Sequence, residues 1–307
     1  MQKSLIADIS LLFVALIWGS TFVLVQNAIS FLEPMTFNGI RFFIAGLFLF
    51  IWLVLFYRDQ LRAINKKLLL SGFIMGVWLF GGYALQTIGL LYTTSSKAGF
   101  ITGLSVILVP LFSFLLLKQK PKMNAVMGVA IATVGLYLLT MAGTFSVNQG
   151  DVLVFFCAIS FALHIIFTGK YTSLFPTLLL TVTQIFTVAG LSILSSLLFE
   201  DWKAAFSLEI LSKNEVMLAL IVTSLFATAI AFLLQTKFQQ FTTPTRVALI
   251  FAMEPVFAAI TAYYFADERL TYFAIIGCLC IFIGMILAEL PTKKTKTTTK
   301  AIDQPIG

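Results

Sequence analysis

Between Arg246 and the cluster Asp267-Glu268-Arg269 the chain runs through an almost unbroken series of apolar residues, with one carboxylate, Glu254, near the middle. The 23 steps from Arg246 to Arg269 cover roughly 34 Å as an α-helix, the thickness of a hydrocarbon core. An ionisable side chain at that depth costs roughly 3 kcal/mol on insertion scales, so it needs a partner or a wet cavity. Pro255 follows directly, and a residue before proline is pushed away from helical geometry, which favours a local break.

The same length of apolar run recurs along the chain. Spans are expected at 5–27, 36–57, 68–90, 96–117, 122–142, 152–169, 177–199, 216–236, 246–266 and 271–290. With 60% hydrophobic and 11% charged residues, this is the composition of an all-α integral membrane protein of ten transmembrane helices. The first run is kept as a span because no small-residue cleavage site follows it. The formal charge of +7 does not point to nucleic acid, since the basic residues are spread over short loops. They report orientation: with the N-terminus inside, fifteen lysines and arginines fall on the cytoplasmic side and four, Lys97, Lys203, Lys213 and Arg269, outside. Both termini are therefore expected in the cytoplasm, and the partners are a lipid bilayer and a small molecule, with a homodimer left open. Cys157, Cys278 and Cys280 all lie in spans, as small packing residues rather than a metal or disulfide framework; no cofactor is expected. Residues 291–307 are basic and polar and read as a disordered cytoplasmic tail.

The chain is also duplicated. A shift of 149 places Lys97 on Arg246, Gln86-Thr87 on Gln235-Thr236, Thr93-Thr94 on Thr242-Thr243, Gly128 on Gly277 and Gly135 on Gly284; a shift of 143 places Asp8 on Asp151 and Trp18 on Phe161. Two five-helix units, 5–142 and 151–290, follow. Five is odd, so the second unit enters the membrane from the opposite side and the repeat has inverted topology. Glycines four residues apart, Gly72 with Gly76 and Gly99 with Gly103, and seven apart, Gly128 with Gly135 and Gly277 with Gly284, mark close helix packing.

A transporter needs polar groups near the bilayer midplane and a gate at each side. Glu254 reads either as a substrate- or proton-binding group or as a structural carboxylate hydrogen-bonded to a neighbouring Thr or Gln. His164, the single histidine, titrates in the physiological range when unperturbed, or serves packing; its twin is Thr21. Trp18 and Phe161 would form an aromatic wall or pack the core. Gln86 and Gln235 either line a cavity or bond each other, since neither is cheap to bury alone. Arg41 can snorkel to the interface or anchor a substrate carboxylate. Lys97 is an outer-gate candidate.

The WGSTF opening (Trp18 to Phe22), Arg41-Phe42, Ala248 through Glu254-Pro255 and the Asp267-Glu268-Arg269 ending together resemble the EamA branch of the drug/metabolite transporter superfamily. The resemblance covers about residues 5 to 290. It implies a ten-helix bundle around a central cavity, and export of small metabolites, amino acids first among them, across a bacterial cytoplasmic membrane. The first copy departs from the pattern, with Ser105-Val106 and Gln119-Lys120 in place of Glu254-Pro255 and Glu268-Arg269, so any charge-dependent role belongs to one half. The alternative is an uptake or exchange carrier for a nucleotide-like or cofactor-like metabolite; a more remote one is an intramembrane enzyme using His164 and Glu254 as a dyad, which no glycine-flanked serine or metal-ligand spacing supports. No GxxxxGK[ST] stretch occurs, so ATP hydrolysis by this chain is not expected.

Overall fold

The computed structural model describes residues 2–118, 120–140, 148–265 and 271–290. The Asp267-Glu268-Arg269 cluster, Gln119 and the tail 291–307 lie outside them. Among the described residues every regular element is helical: α1 (Gln2–Ala28), α2 (Pro34–Phe56), α3 (Lys66–Gly89), α4 (Ser95–Gly103), α5 (Ser105–Leu117), α6 (Met123–Thr140), α7 (Gln149–Tyr171), α8 (Thr177–Phe199), the single-turn α9 (Leu208–Leu211), α10 (Asn214–Ser224), α11 (Ala231–Gln239), α12 (Pro244–Phe251), α13 (Glu254–Phe265) and α14 (Tyr272–Glu289). Eight spans are long and apolar enough to cross a membrane, and two further apolar helices, Met123–Leu138 and Tyr272–Ala288, are shorter.

Helix starts follow from the local sequence. Thr94 and Thr243, twins in the repeat, cap α4 and α12 by accepting from the backbone N–H of Lys97 and Arg246, each at 3.3 Å. Asn148 and Asp151 form a reciprocal capping box at α7. The start of α2 is capped from far away: the Glu200 carboxylate accepts from the N–H groups of Met35 and Thr36, both at 2.7 Å. A negative group there satisfies orphan donors and meets the positive end of the helix dipole.

Three expected spans are not continuous helices. The span expected at 246–266 breaks between Phe251 and Glu254, and its twin at 96–117 breaks at Leu104. Pro255 accounts for part of this, because it has no N–H and its ring collides with the carbonyl four residues back, at Phe251, where α12 ends. Yet the first copy has Val106 in that place and breaks at the equivalent residue. The tight turn is also the same, with Leu104 N–H on the Ile101 carbonyl and Met253 N–H on the Ile250 carbonyl, both at 3.1 Å. The break therefore belongs to the repeated unit, and the proline reinforces it in one copy. In the span expected at 216–236, α10 and α11 are joined by a π-helical turn, Leu225–Ile230. Such a turn leaves carbonyls free to accept from side chains.

Helix contacts repeat between the copies. The most extensive pair is α6 with α14, and α2 packs on α8; α7 packs on α3 as α1 packs on α10 and α11. The α6–α14 contact depends on glycine: a Cβ at Gly128 would lie 2.5 Å from the Gly284 carbonyl oxygen, and one at Gly135 would lie 2.6 Å from that of Gly277. Gly72 and Gly76 admit Thr183 and Thr187 of α8 in the same way. Gly99 departs from the expectation of close packing, because a Cβ there meets nothing nearer than Pro255 at 3.9 Å. Large apolar side chains such as Phe43, Phe50, Leu55 and Phe56 of α2 stay exposed, an outer surface suited to lipid tails rather than water.

Candidate functional site

The breaks in α4–α5 and α12–α13 face one pocket, open to one side. Its lining is built from repeat twins: Trp18 with Phe161, Thr21 with His164, Tyr83 with Phe232, Gln86 with Gln235, Thr102 with Phe251 and Ser105 with Glu254. A cavity lined by the same positions of both copies lies where the copies meet.

Aromatic rings form much of the wall. The Trp18 ring lies 5.2 Å from Phe232 and 5.0 Å from Phe251 between centroids, and Tyr83 meets Phe161 edge-on at 5.3 Å, the tilted geometries that aromatic quadrupoles prefer. The indole N–H of Trp18 donates to the Ala227 carbonyl at 2.8 Å, inside the π-helical turn. Gly19 beside it is required by the same geometry, since a Cβ would lie 2.4 Å from the Glu254 carbonyl oxygen. The WGSTF segment thus places a ring, a close backbone approach and the Thr21 hydroxyl against one break.

Arg41 does not snorkel. Its residue is 3% exposed, its Nε donates to Thr228 Oγ1 at 2.7 Å and its Nη2 to the Ala227 carbonyl at 3.4 Å. Its guanidinium carbon stands 4.9 Å from the Tyr83 ring centre and 5.3 Å from that of Phe42. The π-helical turn and two aromatic faces offer the cation what the interface would have offered, and hold it against the pocket. Two of its five N–H donors are used in these contacts.

Glu254 is half-buried and lines the same pocket. Among the described residues no side chain hydrogen-bonds its carboxylate and no cation lies within ion-pair distance, Arg41 included. A guanidinium and a carboxyl group therefore share one cavity without touching each other. Such groups call for water or a polar solute between them.

The other candidates divide. His164 lines the pocket, but its Nε2 faces the Gln184 amide oxygen at 2.8 Å, and the Gln184 amide N–H donates on to Thr236 at 3.0 Å. An amide oxygen only accepts, so Nε2 carries the proton and is committed to this network. Gln86 and Gln235 line the pocket without bonding each other: Gln86 donates to Thr102 at 3.1 Å, and the Gln235 amide oxygen is buried with no partner. Thr21 bonds its own helix through the Trp18 carbonyl. Lys97 lies outside the pocket, paired with Asp151 at 2.7 Å. Tyr83, Phe232, Phe251 and the π-helical turn were not singled out from sequence; the first two sat at twin positions of the repeat, which was the available signal. The three cysteines are free thiols, and no metal-ligating cluster occurs among the described residues.

A duplicated helical membrane bundle with a charged, aromatic pocket where its halves meet is the architecture of a solute transporter. The chain belongs to the EamA-like transporter family, which it matches over residues 5–141 and 148–290. Its relatives include an uncharacterized transporter of Archaeoglobus fulgidus, 36% identical over 292 residues that make up 94% of this chain and 87% of that protein. The uncharacterized transporter YyaM of Bacillus subtilis is 23% identical over 97% of this chain and 98% of its own length. A more partial match, 33% identical over 135 residues, covers 42% of this chain and 41% of a Chlamydia muridarum S-adenosylmethionine/S-adenosylhomocysteine transporter. A solved crystal structure shares the fold with a TM-score of 0.74 over 92% of this chain and 96% of its own, at 21% identity.

Proposed function

We propose that the protein is a secondary transporter that exports small metabolites, amino acids or related compounds, across the cytoplasmic membrane by alternating access. Its ten helices form two inverted five-helix units, residues 5–142 and 151–290, with both termini in the cytoplasm. The observation that carries this reading is the pair Arg41 and Glu254, a guanidinium and a carboxyl group in one aromatic-walled pocket with donors and acceptors to spare. A zwitterion satisfies both at once, its carboxylate on Arg41 and its ammonium on Glu254, while a flat or apolar remainder rests on Trp18, Tyr83 and Phe161. Chemistry on a bound solute is not part of the reading, since the pocket offers no activated nucleophile.

A second reading draws on two observations. Arg41 is inside the pocket rather than at the periphery, and one relative carries S-adenosylmethionine and S-adenosylhomocysteine. Under it the protein takes up or exchanges a cofactor-like solute that joins an amino-acid head to a flat ring system. Inverted vesicles containing the protein, offered labelled amino acids and labelled S-adenosylmethionine, separate the two: accumulation of amino acids supports export. Uptake of S-adenosylmethionine by right-side-out vesicles, unaffected by excess amino acids, reverses the assignment. If protons drive the exchange through Glu254, Glu254→Gln makes transport independent of pH; an unchanged pH profile removes that coupling.

A further inference from the structure

Among the described residues, two of the ion pairs outside the pocket are copies of each other. Lys97 Nζ lies 2.7 Å from Asp151 Oδ2, and Arg246 Nη2 lies 2.7 Å from Asp8 Oδ2. The basic members are twins at a shift of 149 and the acidic members twins at 143. Each pair also joins the two copies, Lys97 of the first to Asp151 of the second, Arg246 of the second to Asp8 of the first. Each base sits in the first turn of a half-helix, α4 or α12, whose far end lines the pocket at Gly103 or Phe251. The half-helices are short, at most about 12 Å, so a shift at one end is felt at the other. The second Thr of α3's exit loop has its own role as a cap, but the first, Thr93, donates to Asp151 at 2.6 Å, and the Asn148 N–H donates to the same carboxylate at 2.9 Å. That fixes the acid in place for its cation.

We propose that Lys97–Asp151 and Arg246–Asp8 are the two latches of the transport cycle, one at each membrane face, and that opening a face requires its pair to part while the other holds. Topology and exposure both support this. With each long span crossing once, Lys97 and Asp151 fall at the face where α3 ends and α7 begins, and Arg246 and Asp8 at the face where α1 begins and α11 ends. Exposure suits a latch as well: the carboxylates are largely buried, at 7% for Asp151 and 12% for Asp8, whereas the cations remain in reach of water at 35% and 28%. A pair buried on one side only is strong enough to bias a conformation and weak enough to separate. The proposal builds on the transport reading, and its test needs no substrate.

The test uses the full chain with Cys157, Cys278 and Cys280 replaced by serine and Ser105→Cys as a pocket thiol, labelled by a membrane-impermeant thiosulfonate in right-side-out and in inverted vesicles. Lys97→Gln is expected to raise labelling in right-side-out vesicles roughly 5-fold or more, the low end of ordinary two-state coupling, and Arg246→Gln to do so in inverted vesicles. Exchanging the partners, Lys97→Asp with Asp151→Lys, returns labelling toward that of the native pair. Labelling that stays unchanged in both single variants, or rises from the same face in both, overturns the proposal. Should Lys97→Gln fail to reach the membrane, Asp151→Asn reads the same latch from its other member: labelling of the Ser105→Cys thiol from that face must rise in the same way, and unchanged labelling overturns the proposal equally. If the native chain transports none of the offered solutes while these labelling shifts appear, the transport reading of the pocket fails and the latches stand.

Discussion

In the first copy the half-helix α4 starts at Ser95, carries Lys97 in its first turn, ends at Gly103 and passes to α5 at Ser105; in the second, α12 starts at Pro244, carries Arg246 in its first turn, ends at Phe251 and passes to α13 at Glu254. Cap, ion pair and break are the same in both. The pocket side is not. Ser105 faces Glu254 across the repeat, regular α3 answers to a span with a π-helical turn, and Arg41 of α2 has Gln184 as its equivalent in α8. Gln184 spends its amide on His164 and Thr236, while Arg41 leans into the cavity. Duplication has kept the cap, the ion pair and the break and has divided the charged groups of the pocket, with the guanidinium in one half and the carboxyl group in the other.

The sharpest way to break that comparison is to remove the divided charges. Arg41→Gln and Glu254→Gln each lower kcat/KM for the transported solute by about 30-fold or more, as expected when one partner of a desolvated charge contact worth ~2–5 kcal/mol is lost. Ser105→Ala, at the twin of Glu254, changes it by about threefold or less. Equal losses at Ser105 and Glu254 would mean that the pocket is chemically symmetric after all. A smaller effect belongs to the shared scaffold. Gly135→Ala forces α6 off α14, because its Cβ would stand 2.6 Å from a carbonyl oxygen, and destabilises the protein by about 1–3 kcal/mol. Gly99→Ala meets open space and gains up to about 1 kcal/mol of helix propensity. Thermal unfolding in detergent orders the two, and a Gly99→Ala variant that melts below Gly135→Ala would refute the packing account.

The duplication explains why so much of the site was legible. Trp18, Thr21, Gln86, Phe161, His164, Gln235 and Glu254 stand out as polar or aromatic residues at membrane depth and at twin positions, and all seven line the pocket. Arg41 was legible as a residue but not as a place: its distance from the helix end is the same whether it turns outward to lipid or inward to Tyr83, and only packing chooses between them. What chooses here is the π-helical turn, which adds a residue to one turn of a helix and leaves no mark in hydropathy or composition. The ion pairs were hidden differently. Lys97, Arg246, Asp8 and Asp151 are visible as charges at span ends and even as repeat matches, yet that each base pairs with the acid of the other copy depends on how the copies interlock.

A further expected effect concerns His164, where the comparison with Thr21 can be sharpened most. Both line the pocket at twin positions, and a titrating histidine there would make transport depend on pH between about 5 and 8. The contacts argue otherwise, because Nε2 is held by the Gln184 oxygen in a chain that ends on Thr236, and a proton committed to an amide oxygen is poorly placed to shuttle. His164→Gln keeps an N–H donor near that oxygen and is expected to lower the transport rate less than about tenfold, the loss of roughly one hydrogen bond's geometry. The pH profile should keep its shape. If instead the profile flattens while the protein still accumulates and folds, His164 carries the proton, and the second copy then holds two chemical groups, His164 and Glu254, where the first holds only Thr21 and Ser105.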